Sequence, residues 1–189
     1  MSARSMLPLV LLLSSPWLTT GCASDCPSGG QTGSCDLATT MPDNSLGVTR
    51  LELVEGCDYL PPEACTGSPP YTCGLGGGSK HNYAFAVVGD RQSWEALVAH
   101  SDASCAPPGL PTNWSNTFLV VARGSATESS ESSVTFSPRV RGSGTPVIKV
   151  DFGFTFEPDC DCAQLVNLAL VVSTNTQPDV CLDVATTCK

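Results

Sequence analysis

Basic side chains are scarce in this chain: nine Lys and Arg stand against eighteen Asp and Glu, for a net charge of −9. A chain this acidic repels phosphates and has no basic stripe, which excludes an ordinary nucleic-acid binder. Histidine occurs twice, at His81 and His100, so there is little material for a histidine-dependent catalytic triad. Aromatic residues make up 6% and charged residues 14% of the sequence. Apolar runs are rare as well. A single one, Met6–Leu13, lies near the N-terminus, which excludes a polytopic helical membrane protein.

What the chain does have is cysteine, glycine and proline, at 11, 17 and 15 residues. The 189 residues fit one domain with short appendages. So many thiols would be an oxidation liability in the cytosol and point to an exported protein. The apolar run agrees. Eight helical residues reach about 12 Å, well short of a hydrocarbon core of roughly 30 Å. With Arg4 ahead of it, the run reads as the core of a secretory signal over residues 1–21.

Leu18-Thr19-Thr20-Gly21-Cys22 follows, and small residues directly before a cysteine resemble a bacterial lipobox. That resemblance implies lipid attachment at Cys22, an outer-membrane destination with Ala23 in second position, and a membrane partner reached through the lipid. Cleavage after Ala23 by an ordinary signal peptidase is the alternative and would give a periplasmic or secreted protein. Either cut leaves ten cysteines: Cys26, Cys35, Cys57, Cys65, Cys73, Cys105, Cys160, Cys162, Cys181 and Cys188. An even number in an exported chain predicts a disulfide framework. Cys26 and Cys35 are expected to close a local loop. Cys160 and Cys162, one residue apart, are expected to take separate partners.

Residues 22–46 are polar and read as anchor and tether, leaving 47–189 as a single domain. Within it, alternation or continuous apolarity predicts strands at Val48–Glu55, Tyr83–Val88, Thr117–Ala122 and Leu165–Ser173. Val134, Phe136 and Val140 share one parity, and Ile148, Val150, Phe152, Phe154 and Phe156 another. These two runs predict a hairpin with an odd-numbered loop, five residues being favoured by Pro146, so that Val140 faces Ile148 and Phe136 faces Phe152. Residues 124–133 read as a solvated loop. Asp90 is an N-cap for one short helix carrying Trp94, Leu97 and Val98 on its apolar face. The fold class is therefore mainly β: an antiparallel sheet or small sandwich of about six strands with one short helix, reinforced by disulfides.

Candidate chemistry is thin. Cys57, Cys65, Cys73 and His81 recur every eight residues, but no two stand at zinc-knuckle spacing, and disulfides are favoured. Gly74–Lys80 lacks the Gly-Lys-Ser order of a phosphate loop and reads as a flexible turn. Glu157, Asp159 and Asp161 lack the glycine and closing glutamate of a calcium loop. His100 sits at the helix end, where a cation suits the dipole. No cofactor or metal is expected, and the chain reads as a non-enzyme. A small hydrolase or a secreted soluble protein is the distant alternative. The expected hairpin face carries Arg139, Arg141 and Lys149, with Arg139 placed opposite Lys149, and is the candidate docking face for a protein partner.

Residues 85–173 resemble the PrcB-type C-terminal domain of bacterial exported proteins and lipoproteins. The shared elements are a strand, Gly89-Asp90, the helix with Trp94 and Leu97, Trp114, the strand Phe118-Leu119-Val120-Val121-Ala122, a hairpin and a closing apolar strand. The resemblance implies an accessory subunit or inhibitor of an extracellular protease.

Overall fold

The computed structural model describes residues 27–33, 35–54, 57–101, 103–105, 109–157 and 160–189. The expected signal segment, Cys22, Cys26 and Asp159 lie outside them. Ten strands and one α-helix are found among the described residues. In one sheet β1 (Gly30–Gly33), β10 (Asp179–Cys188), β8 (Pro146–Phe156), β7 (Ser129–Arg141) and β2 (Thr40–Pro42) lie side by side in that order. The second sheet runs β3 (Gly47–Leu51), β9 (Ala163–Ser173), β6 (Thr117–Thr127), β5 (His81–Val88) and β4 (Thr72–Gly77). β10 pairs with β8 in parallel, and the other pairings are antiparallel.

The two sheets bury a common core. Tyr83, Phe85, Val120, Leu168 and Leu170 of one meet Ile148, Val150, Phe152, Leu182 and Val184 of the other. Period-2 alternation places these side chains on the inner faces. The second sheet is apolar on its outer face too, with Ala86, Val88, Leu119, Val121 and Ala169 covered by Tyr59, Leu60, Trp94 and Leu97. That double burial is why β5, β6 and β9 read as near-continuous hydrophobic runs. The covering layer contains α1 (Arg91–Val98), whose Asp90 cap accepts from Ser93 N at 2.7 Å and from the Ser93 hydroxyl at 2.9 Å. These bonds hold the Asp90 carboxyl below its ordinary range.

Four strands were not expected. β1 and β2 come from the stretch read as tether, which instead supplies an edge strand to each side of the first sheet, pinned by the Cys35–Cys181 disulfide. The glycine-rich stretch read as a flexible turn is β4. Its glycines make room for aromatic rings: a Cβ at Gly74 would lie 2.3 Å from the Phe85 ring, and one at Gly76 2.4 Å from Tyr83. β10 completes the first sheet with Val180, Leu182 and Val184 facing the core.

The long hairpin keeps its expected parity but shifts by two residues. Val140 faces Pro146, Phe136 faces Val150 and Val134 faces Phe152. Arg141 N bonds Thr145 O, which leaves a three-residue loop, Gly142–Gly144, with Gly144 in the left-handed region at φ +84. Pro146 sits just past that bonded pair, where its missing N–H costs the ladder nothing. The stretch read as a solvated loop, 124–133, is strand apart from the turn at Glu128, whose φ is 55. Ser129 is fully buried there because its hydroxyl bonds Glu131 O and Thr155 O.

Candidate functional site

All nine described cysteines are in disulfides. Cys57–Cys105 and Cys65–Cys73, both with Cα atoms 5.6 Å apart, staple the loop before β4 and tie it to the segment after α1. Cys35 joins Cys181 across 146 residues and so is not available for the expected local loop with Cys26. Cys160 and Cys162 bond each other, contrary to the expectation of separate partners, their Cα atoms standing 5.2 Å apart and within ordinary cystine reach. Such a framework belongs to an oxidising, extracellular compartment.

Oxidation also removes Cys57, Cys65 and Cys73 as zinc ligands. His81 is buried and stacked on Tyr83, and burial lowers its pKa, favouring the neutral ring. Among the described residues no group of three His, Cys, Asp or Glu is placed to hold a metal.

The cationic face exists, but its charges are engaged within the chain. Arg139 faces Val147, and Lys149 faces Ser137, so the expected like-charge pair does not form. Arg139 donates to the Thr40 hydroxyl at 2.6 Å and to Thr40 O at 2.9 Å. Arg141 pairs with Asp179 at 3.2 Å and reaches Asp36 O and the Thr39 hydroxyl at 3.4 Å. Lys149 contacts Asp151 and lies 3.6 Å from Asp183. The segment from Cys35 to Pro42 thus crosses this face, and Arg139 and Arg141 hold it down from β7. Of the three charges that suggested a docking patch, Arg139 and Arg141 fasten the N-terminal segment, and Lys149 is paired with carboxylates of β8 and β10.

The opposite side of the molecule carries two clefts. One cleft of about 530 Å³ lies between α1 and residues 110–114, lined by Trp94, Val98, Leu110, Pro111 and Trp114, with the Arg91–Glu95 ion pair at its rim. A second, of about 690 Å³, opens where β3 leaves β9. Arg50 to Val54 line one wall, and Leu165 and Asn167 of β9 the other. Leu165 and Val54 are 40% and 42% exposed, among the few large apolar side chains presented to solvent.

The second cleft follows from the path of the chain after Leu51. Alternation predicts a strand through Glu55, but pairing with β9 stops at Leu51, opposite Ala169. Beyond it the chain is drawn onto the outer face of the sheet. Val54 N donates to the Tyr59 hydroxyl at 3.0 Å, and Tyr59 and Leu60 are fully buried. Arg123 clamps Asp58 through Nε at 3.0 Å and Nη2 at 2.9 Å, and Asn167 Nδ2 donates to Cys57 O at 2.7 Å. The Cys57–Cys105 bond fixes that detour covalently. No sequence signal marks the cleft, because it arises from a detour anchored by contacts 43 to 110 residues apart.

No family model, no curated protein and no solved structure matches the chain.

Proposed function

We propose that this protein is an exported, lipid-anchored envelope domain that acts by binding a partner. The observation that carries the reading is the site of the two clefts: both lie on the outer side of the second sheet, where stapled loops and α1 build relief on a rigid platform. A covalently braced sandwich holds such surfaces in one shape, which lowers the ordering cost of association. The lipobox-like Leu18–Cys22 supplies the anchor, and several acyl chains on Cys22 would give stable attachment, as a single chain would not.

Intact mass of the protein extracted from membranes tests the anchor. The expected product begins at Cys22 and carries acylglyceryl modification; an unmodified chain beginning at Ser24 overturns it. An accessory role toward an extracellular protease is the reading implied by the resemblance over residues 85–173. With Arg139, Arg141 and Lys149 engaged internally, that role would use the clefted side.

A further inference from the structure

We infer that the uncovered edge of β9 is a docking site for an extended polypeptide segment of a partner, one with apolar side chains at every second position. The inference deepens the binding reading above and rests on it.

The phase of the β9 ladder decides which groups face outward. Thr174 N bonds Asn116 O, and Glu128 N bonds Cys162 O, at the two ends of the β6–β9 register. Main-chain groups of even-numbered β9 residues therefore point to β6, and those of odd-numbered residues point to the other edge. Ala169, Val171 and Ser173 spend theirs on β3. Among the described residues no strand pairs with the outward edge of β9 at Ala163, Leu165 and Asn167, so the edge-facing N–H and C=O groups of this short run have no described ladder partner. Buried or half-covered main-chain groups demand partners, and an open strand edge is a template for another chain. Asn167 adds a further acceptor, since its Oδ1 is buried and without a partner.

Three features favour a strand-like occupant. The vacant track is a direct continuation of the β3–β9 ladder. Cys57–Cys105 and the Arg123–Asp58 clamp draw Cys57 and Asp58 off the line of that ladder onto the outer face of the sheet. Its walls expose Leu165 and Val54, which suit alternate apolar side chains. Strand addition of this kind takes affinity from main-chain bonds and selectivity from alternate side chains.

The test uses the full exported chain and a blocked octapeptide with the sequence of residues 47–54, whose first five residues, 47–51, already pair with β9 one step along the same edge. In the free protein, amide hydrogen exchange should be at least tenfold faster at Leu165 and Asn167 than at Gln164, Val166 and Leu168. Saturating peptide should slow the fast amides at least tenfold. Peptide N-methylated at alternate positions in one phase should lose binding at least tenfold, while the other phase retains it. Leu165→Pro, which removes an edge-facing donor without touching the β6 ladder, should weaken binding to the same extent; the N-methylated peptides give the answer even if this variant does not fold.

Equal protection of odd and even amides in the free protein would overturn the proposal. So would peptide that leaves exchange unchanged, or equal binding of both N-methylated forms. Protection that disappears on dilution would assign the edge to a second copy of the chain and overturn it as well. None of these outcomes alters the mass of the anchored protein, so this site can fail while the anchored-domain reading stands.

Discussion

Replacing each cystine by a pair of alanines should lower stability in the order of the loops the bridges close. The loops are nested. Cys57–Cys105 spans 48 residues inside the 146 of Cys35–Cys181, so the outer bridge constrains roughly 98 residues of chain when the inner one is intact. Cys65–Cys73 spans 8 and shortens the Cys57–Cys105 loop in turn to roughly 40. Loop-closure entropy then assigns about 4.7 kcal/mol to Cys35–Cys181, about 3.9 to Cys57–Cys105 and about 2.5 to Cys65–Cys73. The outer bridge has a second consequence. It pins the segment that crosses the cationic face, so its loss also frees Arg139 and Arg141 from the contacts at Thr40, Asp36 and Thr39. Urea unfolding followed by tryptophan fluorescence gives the comparison, read from the midpoint and slope together because cross-links also compact the denatured chain. Removal of Cys65–Cys73 costing as much as removal of Cys35–Cys181, or an outer-bridge variant indistinguishable from the parent, would refute the reasoning.

Asp90→Ala should destabilise the chain by about 1 kcal/mol through loss of the helix cap, measured by thermal or urea melts. Because the Asp90 pKa is lowered on folding, the cap contributes fully above the unfolded carboxylate pKa and fades as pH falls through the lower folded value, whereas Asp90→Asn should show no such fading. His81 has the same sign for a different reason: burial favours its neutral form, so its contribution is complete above the ordinary imidazole pKa near 6.5 and declines below it. His81→Phe should flatten that slope in melts between pH 5 and 7. Gly124→Val should cost about 1–3 kcal/mol, since a Cβ there meets the Phe152 and Phe154 rings at 2.8 and 3.0 Å, while Gly142→Ala, with nothing within 4 Å, should be near neutral.

What could be read in the sequence is what local physics dictates. Asp90 followed by Trp94 and Leu97 announces a capped amphipathic helix, and the parities of 134–140 and 148–156 announce a hairpin with one buried face. The register differs from the expected one by two because it depends on the left-handed Gly144, which three glycine or serine loop positions leave open. β4 was hidden because its glycines carry no pattern; the signal lies in Tyr83 and Phe85 on the facing strand. β10 shows alternation at Val180, Leu182 and Val184, with Asp179 and Asp183 on the opposite face, where their carboxylates meet Arg141 and Lys149. β1 and β2 are too short and polar to show a period, and a bond spanning 146 residues fixes them. The cleft beside β9 has the same character. Asp58, Arg123 and Asn167 look like ordinary surface residues until distant segments bring them together.

A specific set of cystines locks the two sheets and the loops that cover them. Non-reducing peptide mapping of the exported protein by mass spectrometry tests it most directly. The expected linkages are Cys35–Cys181, Cys57–Cys105, Cys65–Cys73 and Cys160–Cys162, with no free thiol among these eight. A Cys57–Cys65 linkage, or Cys35 and Cys181 recovered as thiols, would contradict it.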